Sequence, residues 1–125
     1  MNVVDSSAWL SFFAGDQNAA VFAAPIEDVV NLLVPSITLT EVFKCILRQR
    51  DEESALLAVA HMSAGRVVAL DTELAIEAGH YGVQHKLPLA DSIIYATAKK
   101  YGATVWTQDA DFDGLTGVKY VRRKK

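Results

Sequence analysis

The stretch Leu87-Pro88-Leu89-Ala90-Asp91-Ser92-Ile93-Ile94-Tyr95-Ala96-Thr97-Ala98 reads as the start and body of a helix that is apolar on most of its sides. Such a helix lies in a core, not on a surface. A proline-marked turn opens it and Gly102 closes it, as helix ends commonly are marked. Yet Asp91 sits in its first turn. A carboxylate carried into a core is costly unless it is paired or binds a cation, so Asp91 requires a partner.

On either side of this helix, strand and helix signals alternate. Downstream, Thr104-Val105-Trp106 is a strand that stops at Thr107-Gln108-Asp109-Ala110-Asp111-Phe112, and Val118-Lys119-Tyr120-Val121 is a further strand at a sheet edge. Upstream, Val67-Val68-Ala69-Leu70 is a strand, after which Asp71 caps a helix from Thr72 to His85. Leu32-Leu33-Val34 is another strand. From Thr38 the pattern turns helical, with Leu39, Val42, Phe43, Ile46 and Leu47 in one stripe. Thr38-Leu39-Thr40-Glu41 has the form of a capping box, which places Glu41 in the first turn. Asp51 begins another helix, closed at Gly65. At the N-terminus, Asn2-Val3-Val4 is a short β-branched strand that stops at Asp5-Ser6-Ser7, and a helix follows to Gly15. The Ala-rich stretch from Asn18 to Val30 is broken at Pro25 and reads as two short helices. Five strands alternating with helices predict an α/β fold, a mostly parallel five-stranded sheet flanked by helices.

The bulk properties set the class. A chain of 125 residues, 51% hydrophobic and 22% charged, is expected to form one globular domain spanning 1–125 with a real core. No run approaches the roughly 18 apolar residues of a membrane span. The start, Met1-Asn2-Val3-Val4-Asp5, lacks a basic segment and meets an acid at once, unlike a secretory signal. A lone cysteine, Cys45, forms no internal disulfide, which fits a cytoplasmic location. Fifteen acids against twelve Lys and Arg give a net charge of −3, so bulk charge does not point to nucleic acid. The basic run Arg122-Arg123-Lys124-Lys125 reads as a solvated tail.

In parallel α/β folds the functional site lies at the carboxyl ends of the strands. Asp5, Asp71 and Asp109 each follow a strand, and Glu41 and Asp91 each open a helix at the same edge. Taken singly, such acids are helix caps, and Asp71 keeps that reading. As a set they differ. Two carboxylates about 5 Å apart repel by roughly 3 kcal/mol at an effective dielectric near 20, so several in one cleft must protonate or share a cation. Oxygen donors without paired His or Cys indicate a hard ion, Mg²⁺ or Mn²⁺. Zinc is not indicated, since His61, His80 and His85 lack ligand spacing and Cys45 sits in an apolar helix. An ion of this kind activates a water for in-line attack on a phosphodiester. Ser6, Ser92 and Thr107 stand beside the acids as candidates to orient ligands or waters.

The blocks Val4-Asp5-Ser6-Ser7-Ala8, Ile37-Thr38-Leu39-Thr40-Glu41-Val42, Leu89-Ala90-Asp91-Ser92-Ile93-Ile94-Tyr95-Ala96-Thr97-Ala98 and Thr107-Gln108-Asp109-Ala110-Asp111-Phe112 resemble, in order and spacing, those of PIN-domain proteins, and among them VapC-like toxins of toxin–antitoxin pairs. The resemblance implies a Rossmann-like sheet, a Mg²⁺-dependent endoribonuclease acting on RNA, a homodimer, and inhibition by a VapB-like antitoxin. It places the metal-binding acids at Asp5, Glu41, Asp91 and Asp109. Asp5 and Asp91 are then direct ligands, and Glu41 and Asp109 bind directly or through water. The fourth block offers both Asp109 and Asp111, of which Asp109 is favoured. Arg48, two helical turns after Glu41, is a candidate contact for RNA or antitoxin. Two other readings stay open. One is a PIN-like binding module without catalysis, against which the four mutually repelling acids argue. The other is a Mg²⁺-dependent phosphotransfer enzyme, for which an Asp-x-Asp pair is expected where this chain has Asp5-Ser6-Ser7.

Overall fold

The computed structural model describes residues 1–123; Lys124 and Lys125 of the basic run lie outside the described residues. Five strands, β1 (Asn2–Val4), β2 (Leu32–Pro35), β3 (Arg66–Val68), β4 (Thr104–Thr107) and β5 (Val118–Tyr120), form one sheet in the order β3-β2-β1-β4-β5. Every pairing in it is parallel. Six helices flank it: α1 (Ser6–Ala14), α2 (Ala19–Glu27), α3 (Ser36–Gln49), α4 (Glu52–Met62), α5 (Thr72–His85) and α6 (Leu89–Tyr101). No helix among the described residues is long and apolar enough to cross a membrane.

Alternation along the central strand divides the core. Val3 packs with Leu33, Leu74, Ile94 and Val105 on the face covered by α5 and α6, and Val4 packs with Trp9, Phe22, Val34, Val42 and Met62 on the other. Neighbouring residues of β1 thus serve opposite layers, as period-2 geometry requires. Helix α6 is the interior mount: Ser92 through Ala98 are all buried. Gly82 lets α5 approach it, because a Cβ there would lie 2.7 Å from Ser92 Oγ. The helix ends at Gly102, whose φ of +63° suits a residue without a side chain.

Four local expectations are corrected. The stretch before β2 is one helix with Pro25 inside, followed by a 3-10 turn at Val29–Asn31. The carbonyl that Pro25 leaves unpaired belongs to the exposed Val21, where water can satisfy it. Strand β3 starts one residue early and ends at Val68, leaving Leu70 exposed. Helix α4 ends at Met62, before Gly65. The capping box is absent: α3 begins at Ser36, and Thr38 Oγ1 donates to the Pro35 carbonyl at 2.7 Å. Glu41 therefore stands in the second turn, free to extend its side chain away from the backbone. The stripe on α3 is core mainly at Val42, while Leu47 is exposed.

Candidate metal centre

The order of strands reverses between β1 and β4, the place where parallel sheets open a crevice at their carboxyl ends. Asp5 follows β1 and Asp109 follows β4. Asp91, on the first turn of α6, and Glu41, on α3, come to the same edge from the two helical layers.

Asp5 is 2% exposed. Its Oδ1 accepts from Ser7 Oγ at 2.8 Å and from the Ala8 N–H at 3.0 Å, and its Oδ2 accepts from Thr107 Oγ1 at 2.7 Å. It is thus the cap of α1 and a member of the acid group at once. Burial pushes its carboxyl up to about 6, against the pull of those three donors. Glu41 is half-buried, and its Oε1 accepts from Ser6 Oγ at 2.6 Å. Asp109 Oδ1 accepts from the Asp111 N–H at 2.9 Å, and its own N–H donates to Thr107 Oγ1 at 2.8 Å. Thr107 thereby joins two of the acids.

Asp91 makes no capping bond at the head of α6. Its carboxyl is pushed up to about 8, first by burial, then by the charges of Asp109 and Asp5, a hydrogen bond with Asp109, and the charge of Glu41. All three other acids therefore act on Asp91. Carboxylate oxygens of Asp91, Asp109 and the exposed Asp111 lie within 4.8 Å of one another. The donor set is oxygen only, the kind that suits a hard divalent ion.

The remaining residues separate. Asp71 caps α5 through the Leu74 N–H at 2.8 Å and pairs with Lys100 at 3.8 Å, the only ion pair among the described residues. Ser92 does not serve the acids: its hydroxyl donates to the carbonyls of Pro88 and Leu87 at 2.9 and 3.2 Å, securing the turn before α6. Arg48 is exposed in the last turn of α3. His61 packs against Phe12, Phe13 and Trp9, and His85 against Tyr81 and Tyr95. The sequence carries no signal for Ser7, Gln108 and Asn18, yet a chain of hydrogen bonds joins them to Asp5. Ser7 lies two residues after that aspartate, the spacing at which a hydroxyl bonds back, but Ser6 beside it is equal in type.

The chain matches the PIN-domain family over residues 3–117. It belongs to that family. Among solved structures, this PIN domain is similar to a toxin–antitoxin complex from Klebsiella pneumoniae, with 24% identity, a TM-score of 0.78, and coverage of 95% of this chain and 96% of that one. It is also similar to Mycobacterium tuberculosis VapC20, a toxin that cleaves the sarcin–ricin loop, with 21% identity, a TM-score of 0.79 and coverage of 98% and 100%. A third is the DNA-bound VapBC of Salmonella typhimurium, with 19% identity, a TM-score of 0.74 and coverage of 97% and 96%. At these identities the likeness speaks for the fold. No curated protein matches the chain in sequence.

Proposed function

We propose that this PIN domain is a Mg²⁺- or Mn²⁺-dependent endoribonuclease, the toxin of a toxin–antitoxin pair. One observation carries the reading: burial first, and then the charges of Asp109, Asp5 and Glu41 from three other elements, push the Asp91 carboxyl up to about 8. A scaffold gains nothing from that repulsion. When bound, a divalent ion supplies an activated water and neutralises charge on the scissile phosphate. Asp5 and Asp91 hold it. Asp91 would hold the ion as its carboxylate, so binding would strengthen with rising pH. Glu41, steadied by Ser6, would bind the ion directly or through water, or act as the base toward a water. Asp109 completes the cluster directly or through water, and Asp111 supports it through its backbone N–H.

The likeness to toxin–antitoxin complexes supports an antitoxin partner. The open groove between α1, α3 and α4, about 830 Å³, offers it a mixed seat in which Leu10, Phe13, Ile46 and Leu57 stand beside Arg50 and Arg123. Arg48 is kept as a contact for RNA or for that antitoxin. A homodimer is supported by the outer face of α5, where Ile76 and Val83 are 59% and 84% exposed.

The test is cleavage of RNA by the full chain with Mg²⁺, with EDTA, and as Asp91→Asn. Metal-dependent cleavage that the variant loses supports the reading. Full cleavage by Asp91→Asn overturns it, and metal-dependent RNA binding with no cleavage by the wild type indicates the binding module instead.

A further inference from the structure

Asn18 stands immediately before α2, where an asparagine side chain ordinarily accepts from the helix's free N–H groups, and here it makes no such bond. Its Nδ2 instead donates to Gln108 Oε1 at 2.9 Å and to the Arg122 carbonyl at 3.1 Å. Both amides are buried, Asn18 at 2% exposure and Gln108 at 6%. The Oδ1 of Asn18 has no partner, and an unpaired buried acceptor destabilises a fold. Stability is therefore forgone twice at one residue, in the missing cap and in the orphaned oxygen.

What the arrangement achieves appears one step further along. Gln108 Nε2 donates to the Ser7 carbonyl at 3.4 Å, and the Gln108 N–H donates to Ser7 Oγ at 3.3 Å. With Oγ already accepting from that N–H, the Ser7 hydroxyl directs its own hydrogen to Asp5 Oδ1 at 2.8 Å. Ser7 and Ala8 fill Oδ1, and Thr107 takes one side of Oδ2. One acceptor direction of the carboxylate, on Oδ2, is left for a cation.

We infer that Asn18 and Gln108 are positioning residues: the buried amide pair holds the Gln108 main chain, whose N–H bonds Ser7 Oγ, and through Ser7 it fixes the Asp5 carboxylate with one oxygen presented to a divalent ion. The pair also ties the end of β5, through Arg122, to the same point. This rests on the proposal that Asp5 is a ligand. The alternative is that the pair only anchors α2 and the chain end.

The test uses the full chain as Asn18→Ala, Gln108→Ala and the double variant. Two measurements are made: amide hydrogen exchange in EDTA, and Mn²⁺ affinity by electron paramagnetic resonance. Gln108→Ala is expected to speed exchange of the Ala8 N–H and to weaken Mn²⁺ binding about tenfold, in the range of outer-sphere partners. Asn18→Ala acts in the same direction but less strongly, being one bond further from Ser7. The double variant binds Mn²⁺ no more weakly than Gln108→Ala, because both residues act along one chain of bonds. Gln108→Glu, which keeps the size but replaces the Nε2 donor, repeats the Gln108→Ala result if truncation prevents folding. Exchange changes confined to residues 18–22, with Ala8 and Mn²⁺ affinity unchanged, overturn the inference. If the wild type binds no Mn²⁺, the proposed function falls, while Ala8 exchange still decides the role of the pair.

Discussion

Helices α4 and α6 both carry an aspartate at or near the first turn, and the two aspartates behave oppositely. Asp51 caps α4 through the Ser54 N–H at 2.7 Å. It is exposed, and its carboxyl is held below the ordinary value by the backbone and side-chain bonds to Ser54. Asp91 makes no cap, is partly buried, and is pushed the other way by burial and three neighbouring acids. One residue type at similar helix positions is thus a stabiliser in water and a source of strain in a crevice. Asp5 spans the two cases, since it caps α1 and also joins the crevice. The difference teaches that a cap and a candidate ligand are not rival readings of an acid. What separates them is burial first, and then the like charges within reach.

The largest effect expected from breaking this contrast is at Asp91. Asp91→Asn should lower Mg²⁺-dependent RNA cleavage by more than about 100-fold, beyond the loss typical of an outer-sphere partner. In EDTA at pH 8.5, where Asp91 is charged, the same variant should melt no lower than the wild type, because one repelling charge is gone. A large loss of stability together with intact cleavage would make Asp91 an ordinary structural acid.

The pH dependence should show the same strain without mutation. Asp5 and Asp91 titrate near 6 and 8 in the fold against 3.8 when unperturbed. Between about pH 4 and 8 the native state therefore binds more protons than the unfolded chain, and metal-free stability falls as pH rises. With Asp91 discounted for solvent screening, the fall is on the order of 3 kcal/mol, most of it from the buried Asp5, or roughly ten degrees in melting temperature. Scanning calorimetry in EDTA at pH 5 and 8.5 checks the sign. Mn²⁺ should restore the loss at pH 8.5, and Asp91→Asn should flatten the profile. A melting temperature that rises over this range would contradict the crowded-acid account.

Asp5→Ala sharpens the comparison at the residue that belongs to both classes. Loss of its cap costs about 1 kcal/mol, and removal of a buried acid offsets that loss, so the EDTA melting temperature should move little while cleavage disappears. The smallest effect belongs to the pure caps. Asp71→Ala should cost about 1 kcal/mol by denaturant titration and leave cleavage unchanged, with little from its exposed pair to Lys100. A cleavage defect there would extend the site beyond the four acids.

Sequence legibility followed the range of the interactions. Strand and helix order was readable because hydrophobic periodicity is local, and all five strands and the buried body of α6 lie where that pattern places them, within a few residues. The fragment Thr38-x-x-Glu41 misled because a capping box is also local chemistry, and the turn at Pro35 started the helix earlier. Ser92 misled for a related reason: proximity in sequence to Asp91 says nothing about which way a hydroxyl turns. Asn18 and Gln108 carried no signal at all, since their bond joins residues ninety positions apart.

The sequence by itself determined the class of fold and placed Asp91 at the head of a buried helix, because patterning and helix-end chemistry act over a few residues. Only the tertiary structure decided the order β3-β2-β1-β4-β5, and with it the edge at which Asp5 and Asp109 meet Glu41 and Asp91. The reason is physical. A carboxylate's burial and the charges around it depend on which distant segments arrive beside it. The strain at Asp91 is a property of that convergence, not of any stretch of the chain.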